Sequence, residues 1–307
     1  MKITFLIHDK APFSHQNIYA AYKDCLLEKI PDLICCTIEQ FLLNPVPTQW
    51  IFIIDHYRNK FYYRFLKDFA RLAIYILEDP YEIDQTRFLS SSEIDCIFTN
   101  DEGSVDFRRN QYGQKVAFLP LACRDTIFYP NPTEDKKYKL VMIGNAFPNR
   151  VDFIEQLSQF ILDNEIDFHI FGINWSRLKA ENPFITIHKG IITETQLAQI
   201  YNSSETALEI NRTFQIHNEN NVPAITPGRG FSSLGCSCHT ITDERLTSKQ
   251  YFPEDGISYY HSMDELKELI LMPTLHKLKI AKKGSLYVKQ QQHTFKHRVE
   301  TLLNALS

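Results

Sequence analysis

At 307 residues, 44% hydrophobic and 23% charged, the chain has room for two α/β domains and the composition of a globular protein, which excludes a disordered one. A net charge of -4 provides no electrostatic hold on a nucleic-acid backbone, so nucleic acid is disfavoured as a partner. Only 10 glycines argue against a glycine-rich phosphate loop as the main device, while 22 Phe and 15 Tyr are enough to fill cores and to stack on a base or a sugar.

The chain opens on Ile3-Thr4-Phe5-Leu6-Ile7, an apolar run that stops at His8-Asp9-Lys10. A secretory h-region needs roughly 7–15 apolar residues, so this segment reads as a buried first strand. No stretch approaches the ~20 apolar residues of a membrane span, and the expected location is the cytosol. Further strands are predicted at 33–37, 50–54, 72–77, 96–99 and 116–119, with helices at 16–29, 59–69, 85–91 and 104–111 between them. Apolar strands alternating with helices describe a parallel sheet covered on both faces. The polar run Tyr129 to Lys137, with Pro130 and Pro132, reads as a linker. Alternation then resumes, with strands at 139–143, 167–171, 185–188, 206–210, 238–242 and 256–260 and helices at 149–163, 193–201, 230–236, 263–271 and 274–290. A last helix spans 293–306. The predicted fold is therefore α/β, two doubly wound Rossmann-like domains facing across a cleft, with residues 1–132 forming the first and 133–290 the second. That geometry suits glycosyltransferases, some epimerases and periplasmic binding proteins, the last disfavoured without a signal peptide.

Ligands in such sheets bind beyond the carboxyl ends of the strands. The turn Gly144-Asn145-Ala146-Phe147-Pro148-Asn149-Arg150 lies at such an end and opens a helix, with Asn149 as a candidate cap. A helix N-terminus and Arg150 together attract a diphosphate, although an ordinary βα turn has the same spacing. Gly228-Arg229-Gly230 opens another helix and reads either as a phosphate-binding turn or as a plain Pro-Gly turn. Gly190 and Ile191 follow a strand, where a backbone edge either bonds a base or simply ends. In the first half, His15, Asp55-His56 and Glu78-Asp79 all fall at or just past strand ends, so one rim of a parallel sheet would gather them as candidate bases. Cys236-Ser237-Cys238-His239 is too tight to supply three ligands to one tetrahedral ion. Seven cysteines without a CxxC pair read as reduced thiols, and no metal site is expected.

Taken in order, several segments resemble the CgeB/YkvP group of bacterial spore-associated glycosyltransferase-like proteins. They are Glu78-Asp79-Pro80-Tyr81, Asp95 to Asp101, Phe118-Leu119-Pro120-Leu121-Ala122, Ile143-Gly144-Asn145 with Pro148-Asn149-Arg150, Leu208-Glu209-Ile210-Asn211, Pro227 to Phe231, Thr242-Asp243 and His293 to Arg298. The resemblance runs from about Leu77 to the C-terminus. It implies a GT-B fold in which the second domain holds a nucleotide-sugar donor and the first an acceptor, with residues 291–307 packing back on the first domain. It also implies that neither metal nor cofactor is needed. The implied donor-binding residues are Gly144, Asn145, Arg150, Gly190, Ile191, Asn211, Gly228, Arg229 and Ser232, and the candidate catalytic residues are His15, His56 and Asp79. One departure stands out: Ser232 occupies the position where the family carries a Glu expected to bond the donor ribose. The leading reading is a sugar transferase with an unidentified acceptor. The alternative is a non-catalytic protein of the same fold that binds a nucleotide, a glycan or a protein partner.

Overall fold

The computed structural model describes residues 1–7, 13–55, 61–89, 93–133, 135–212, 224–225 and 228–307. They form two compact units. The first holds Met1–Leu121, Ala224 and Phe295–Ser307, and the described residues of the second lie within 122–212, 225 and 228–294.

In the first unit the elements are β1 (Ile3–Ile7), α1 (Phe13–Lys29), β2 (Ile34–Thr37), α2 (Ile38–Leu43), β3 (Trp50–Ile54), α3 (Phe61–Lys67), β4 (Arg71–Ile76), β5 (Cys96–Thr99), α4 (Gly103–Tyr112) and β6 (Val116–Phe118). All six strands are parallel, in the order β2-β1-β3-β4-β5-β6. The run Trp50-Ile51-Phe52-Ile53-Ile54 is buried at every position, as a central strand covered on both faces must be. Helix α2, which the apolar periodicity does not predict, is held by a capping box: Gln40 N donates to Thr37 Oγ1 at 3.3 Å and Thr37 N to Gln40 Oε1 at 2.9 Å. Of the helix predicted over 85–91, the described residues form one 3-10 turn, Ile83–Thr86.

The second unit contains β7 (Tyr138–Ile143), α5 (Pro148–Asp163), β8 (Phe168–Gly172), β9 (Ile185–Lys189), α6 (Glu194–Asn202), β10 (Ser204–Glu209), α7 (Gly228–Gly235), β11 (His239–Asp243), α8 (Ser248–Tyr251), β12 (Ser258–Tyr260), α9 (Met263–Leu271) and α10 (Thr274–Gln290). Its sheet is also parallel throughout, in the order β12-β11-β10-β7-β8-β9. One face packs Ile154, Leu157 and Ile161 of α5 on Leu140, Met142 and Ile170. The other packs Tyr201, Phe231, Leu234 and Val288 on Val141 and Ala207.

Helix α11 (Phe295–Leu306) belongs to the first unit, where it packs against α1. Its buried residues Phe295, Val299, Leu302 and Leu306 recur at helical spacing. Phe295 meets the Tyr22 ring edge-on at 5.4 Å, and Trp50 Nε1 donates to Leu306 O at 2.8 Å. Arg298 Nε donates to Pro120 O at 2.9 Å.

Candidate functional site

Counted from β7, the second sheet has the order 3-2-1-4-5-6, and its direction of winding reverses between β7 and β10. A doubly wound sheet opens its ligand crevice at that reversal. The loops after β7 and β10 supply Gly144, Asn145, Ile210 and Asn211 there. Arg150, in the first turn of α5, ties the two loops together: its Nε donates to Ile210 O at 2.8 Å and its Nη1 to Asn145 O at 3.1 Å. The guanidinium also lies 5.0 Å from the Phe147 ring. Phe147, not Asn149, is the N-cap residue of α5, because Pro148 takes the first helical position. Asn149 instead donates Nδ2 to Asn211 O at 2.8 Å and so fixes the same two loops.

Gly144 is required by what surrounds it. A Cβ there would stand 2.7 Å from Arg150 Nη1 and 3.4 Å from Arg229 Nη1. Gly172 faces it from β8, and a Cβ on Gly172 would meet Gly144 O at 2.1 Å. Trp175 Nε1 donates to that same oxygen at 2.8 Å. The turn is thus pinned from behind by β8 and faced by two guanidinium groups.

Arg229 lies at the start of α7 beside Gly228, with its side chain 30% exposed, and its Nε is 3.4 Å from Glu209 Oε2. Burial pushes the Glu209 carboxyl up, against the pull of Arg229 and Arg150. The α7 N-terminus, Arg229 and Arg150 make this corner suited to a bound anion. Ser232 is nearly buried, and its hydroxyl donates back to Gly228 O at 3.4 Å. Asn211 Nδ2 donates to Asp243 Oδ1 at 2.5 Å.

Gly190 and Ile191 line a different feature of this unit, a pocket of about 540 Å³ bounded also by Phe171, His188, Lys189 and Gln196. Phe171 and His188 stack at 4.2 Å with their planes 8° apart. Asp167 Oδ1 lies 2.8 Å from His169 Nε2, and His169 Nδ1 lies 2.7 Å from His188 Nε2. That size and an aromatic wall suit a planar ring system.

In the first unit, His15 bridges two carboxylates that follow β3 and β4. Its Nδ1 is 2.6 Å from Asp55 Oδ2 and its Nε2 3.0 Å from Glu78 Oε1. Burial opposes charge on the ring, but the bonds to Asp55 and Glu78 outweigh it and raise the pKa to about 9. At neutral pH both ring nitrogens therefore carry protons and both donate, so His15 has no lone pair with which to act as a base. Asp79 is also unsuited to that role. Arg108 donates to both of its oxygens and Thr99 Oγ1 to one, and the Asp79 and Arg108 side chains are wholly buried. His56 lies outside the described residues. Of the carboxylates beside His15, Glu78 is the more open, with its side chain 26% exposed against 14% for Asp55.

The structure thus gathers Gly144, Asn145, Arg150, Asn211 and Arg229 at one corner, with Gly228 and Ser232 on the adjoining helix. Sequence reasoning passes over Glu209 as a site residue, and it offers Asp55 and Glu78 only within their strand-end pairs with His56 and Asp79, although each stands at or just past a strand's carboxyl end. The Phe171–His188 stack carries no sequence signal, because it depends on the register of β8 with β9.

Among the described residues, no group of three His, Cys, Asp or Glu side chains is arranged to hold a metal ion. Among them, too, no helix is long and apolar enough to cross a membrane.

Residues 150–304 match the family model described as glycosyl transferase-like. No curated protein sequence matches the chain. Among solved structures, sucrose-phosphate synthase from Thermosynechococcus elongatus is similar at 11% identity and TM-score 0.69, over 99% of this chain and 98% of that one. A DNA-modifying beta-glucosyltransferase, solved with and without uridine diphosphoglucose, is similar at 12% identity and TM-score 0.63, over 100% of this chain and 99% of that one. The pneumococcal O-GlcNAc transferase GtfA, in complex with UDP and GlcNAc, has 12% identity and TM-score 0.58, over 88% of this chain and 58% of that one.

Proposed function

The chain belongs to the glycosyl transferase-like family, and on that premise we propose that it moves a sugar from a nucleoside-diphosphate donor held by the second unit to an acceptor held by the first. The observation that carries this reading is the anion-suited corner at the strand-order reversal, where Gly144 lets two guanidinium groups approach the backbone. In transfer, an acceptor oxygen attacks the anomeric carbon, the bond to the diphosphate breaks, and the nucleoside diphosphate leaves with its new charge facing Arg229 and the α7 N-terminus. These cationic groups take the part that a metal plays elsewhere, so the proposed reaction is independent of metal and cofactor. The pocket beside Gly190 and Ile191 takes the base, with the Phe171–His188 stack as its wall. Glu78 accepts the acceptor's proton, while the imidazolium of His15 holds it in place. Both the uridine diphosphoglucose named for the DNA-modifying relative and the UDP named for GtfA make a uridine donor the first to try. The segments from Glu78 to Arg298 further support placement in the CgeB/YkvP branch.

One observation favours a non-catalytic nucleotide-binding protein instead: Ser232 stands where that branch carries a Glu, and its hydroxyl is turned back onto Gly228 O. Thermal unfolding with UDP, GDP and dTDP separates the two. A nucleotide at ~100 times its Kd stabilises by ~2.7 kcal/mol. Arg229→Ala, whose side chain is partly open, is expected to abolish most of that stabilisation by the diphosphate and to leave binding of the nucleoside nearly unchanged. Arg150→Ala is expected to lower stability without ligand by about 1–3 kcal/mol as well, since it strips the buried Ile210 carbonyl and the part-buried Asn145 carbonyl of this donor. No response to any nucleotide, or equal losses for nucleoside and diphosphate in Arg229→Ala, would overturn the donor assignment.

A further inference from the structure

Helix α10 buries one side and leaves the other without cover among the described residues. Its inner face carries Ala281, Gly284, Ser285 and Val288, which pack on α7 and β11. Gly284 is needed there, since a Cβ would meet Gly256 O at 2.3 Å. Lys277 also turns inward, and its Nζ donates to Ile270 O at 2.7 Å near the end of α9. The outer face carries Leu275, Leu278 and Leu286, exposed at 65%, 47% and 45%. Lys279, Lys282 and Lys289 are interleaved with them and exposed. Spacings of three and four residues put all six side chains on one stripe. The helix, TLHKLKIAKKGSLYVKQ, contains no acidic residue. Of its outward lysines, Lys283 is paired with Asp255 at 2.9 Å, whereas Lys279, Lys282 and Lys289 have no carboxylate partner among the described residues.

We propose that this stripe docks the protein on an anionic lipid surface. Leucines and lysines on one exposed face suit a bilayer boundary, where the leucines enter the acyl region and the lysine stems reach back to place their amines among the headgroups. The charge decides between occupants. A second copy pairing through this face would bring the same unneutralised lysines against one another, whereas a sheet of anionic headgroups neutralises every one of them. The inner face is already filled by the core, so the helix can lie on a surface without leaving its place in the fold. The proposal is independent of the donor and acceptor assignments.

The test is flotation of the full chain with vesicles of phosphatidylcholine alone and of phosphatidylcholine mixed with phosphatidylglycerol. Binding is expected to the mixed vesicles only and to weaken as salt is raised. The triple variant K279Q/K282Q/K289Q should lose affinity by about a hundredfold, at about fivefold for each lysine held at an anionic surface. L275S/L278S/L286S should lose about tenfold or more. Both variants should keep the wild-type melting temperature. Where the leucine triple does not, Leu275→Ser alone replaces it with a smaller loss in the same direction. Equal binding to both vesicle types, no binding to either, or full binding by both variants would overturn the proposal. A concentration-dependent dimer abolished by the leucine variant, with no vesicle binding, would assign the face to a second copy instead.

Discussion

His15 is the residue whose surroundings most change its chemistry. A histidine in an open loop is a natural proton acceptor at neutral pH, but one held between Asp55 and Glu78 keeps its proton to about pH 9. The raised pKa belongs to the folded state, so its stabilisation is complete below the ordinary value near 6.5 and is lost as pH rises towards 9. Stability in denaturant should fall over that window with a slope of at most about 1.4 kcal/mol per pH unit. His15→Gln should flatten the slope, and an unchanged slope would mean that another group titrates there. In the proposed transfer, the proton-accepting role then passes to Glu78. Once the binding screen has named a donor, Glu78→Gln should slow release of its nucleoside diphosphate by about 10²–10⁴-fold. Stabilisation by nucleotide should be unchanged, and full activity in this variant would remove Glu78 as the base. That the first rim gathers titratable groups is legible in the sequence, because His15, Asp55 and Glu78 all sit at or just past predicted strand ends. Which of them holds the proton is not legible, since it depends on separations of about 3 Å between residues distant in the chain. Asp79 makes the same point, because its neutralising partner Arg108 comes from α4.

The helices divide by how their ends are set. Helix α6 starts on a full capping box at Thr193 and Gln196, whereas α5 starts on Pro148 with no side-chain cap. In α5 the polar residues of the first turn are therefore free to bind outward, and Asn149 and Arg150 both reach the loop after β10. The strands were readable to within a residue or two at most ends because their apolar runs are continuous. Helix α2 is missed because six residues are too few to show a period, and its only signal is the Thr37/Gln40 box. Helix α11 is legible by contrast, since its apolar positions repeat over three turns. Its energetic weight lies in one unusual contact set, with Arg298 serving the carbonyls of Pro120 and Leu121 from a nearly buried position. Arg298→Leu should destabilise the first unit by about 2 kcal/mol, since it leaves the buried Pro120 carbonyl and the part-buried Leu121 carbonyl without this donor. Urea unfolding followed through Trp50, whose indole bonds to Leu306 O, reads this directly. A midpoint equal to that of the wild type would show the contact to be dispensable.

At the scale of the whole molecule, two parallel sheets place chemistry at carboxyl ends by topology alone. The two sheets are not wound alike: the first, β2-β1-β3-β4-β5-β6, reverses between its first and third strands in chain order, and the second reverses between its first and fourth, β7 and β10. Strand order is hidden in a single sequence, because alternation announces parallel strands without saying which lie side by side. The placement of α11 has a consequence for how the protein is made. Its residues follow the whole of the second unit in the chain, yet Phe295, Val299, Leu302 and Leu306 are part of the first unit's buried surface. During synthesis, the first unit must wait with Tyr22 and Trp50 uncovered until residues 122–294 have been translated, while the second unit can close around its own core first. Order of emergence from the ribosome is thus opposite to order of completion. An exposed aromatic surface persists for as long as that stretch takes to make, and in that interval a nascent chain would depend most on a chaperone.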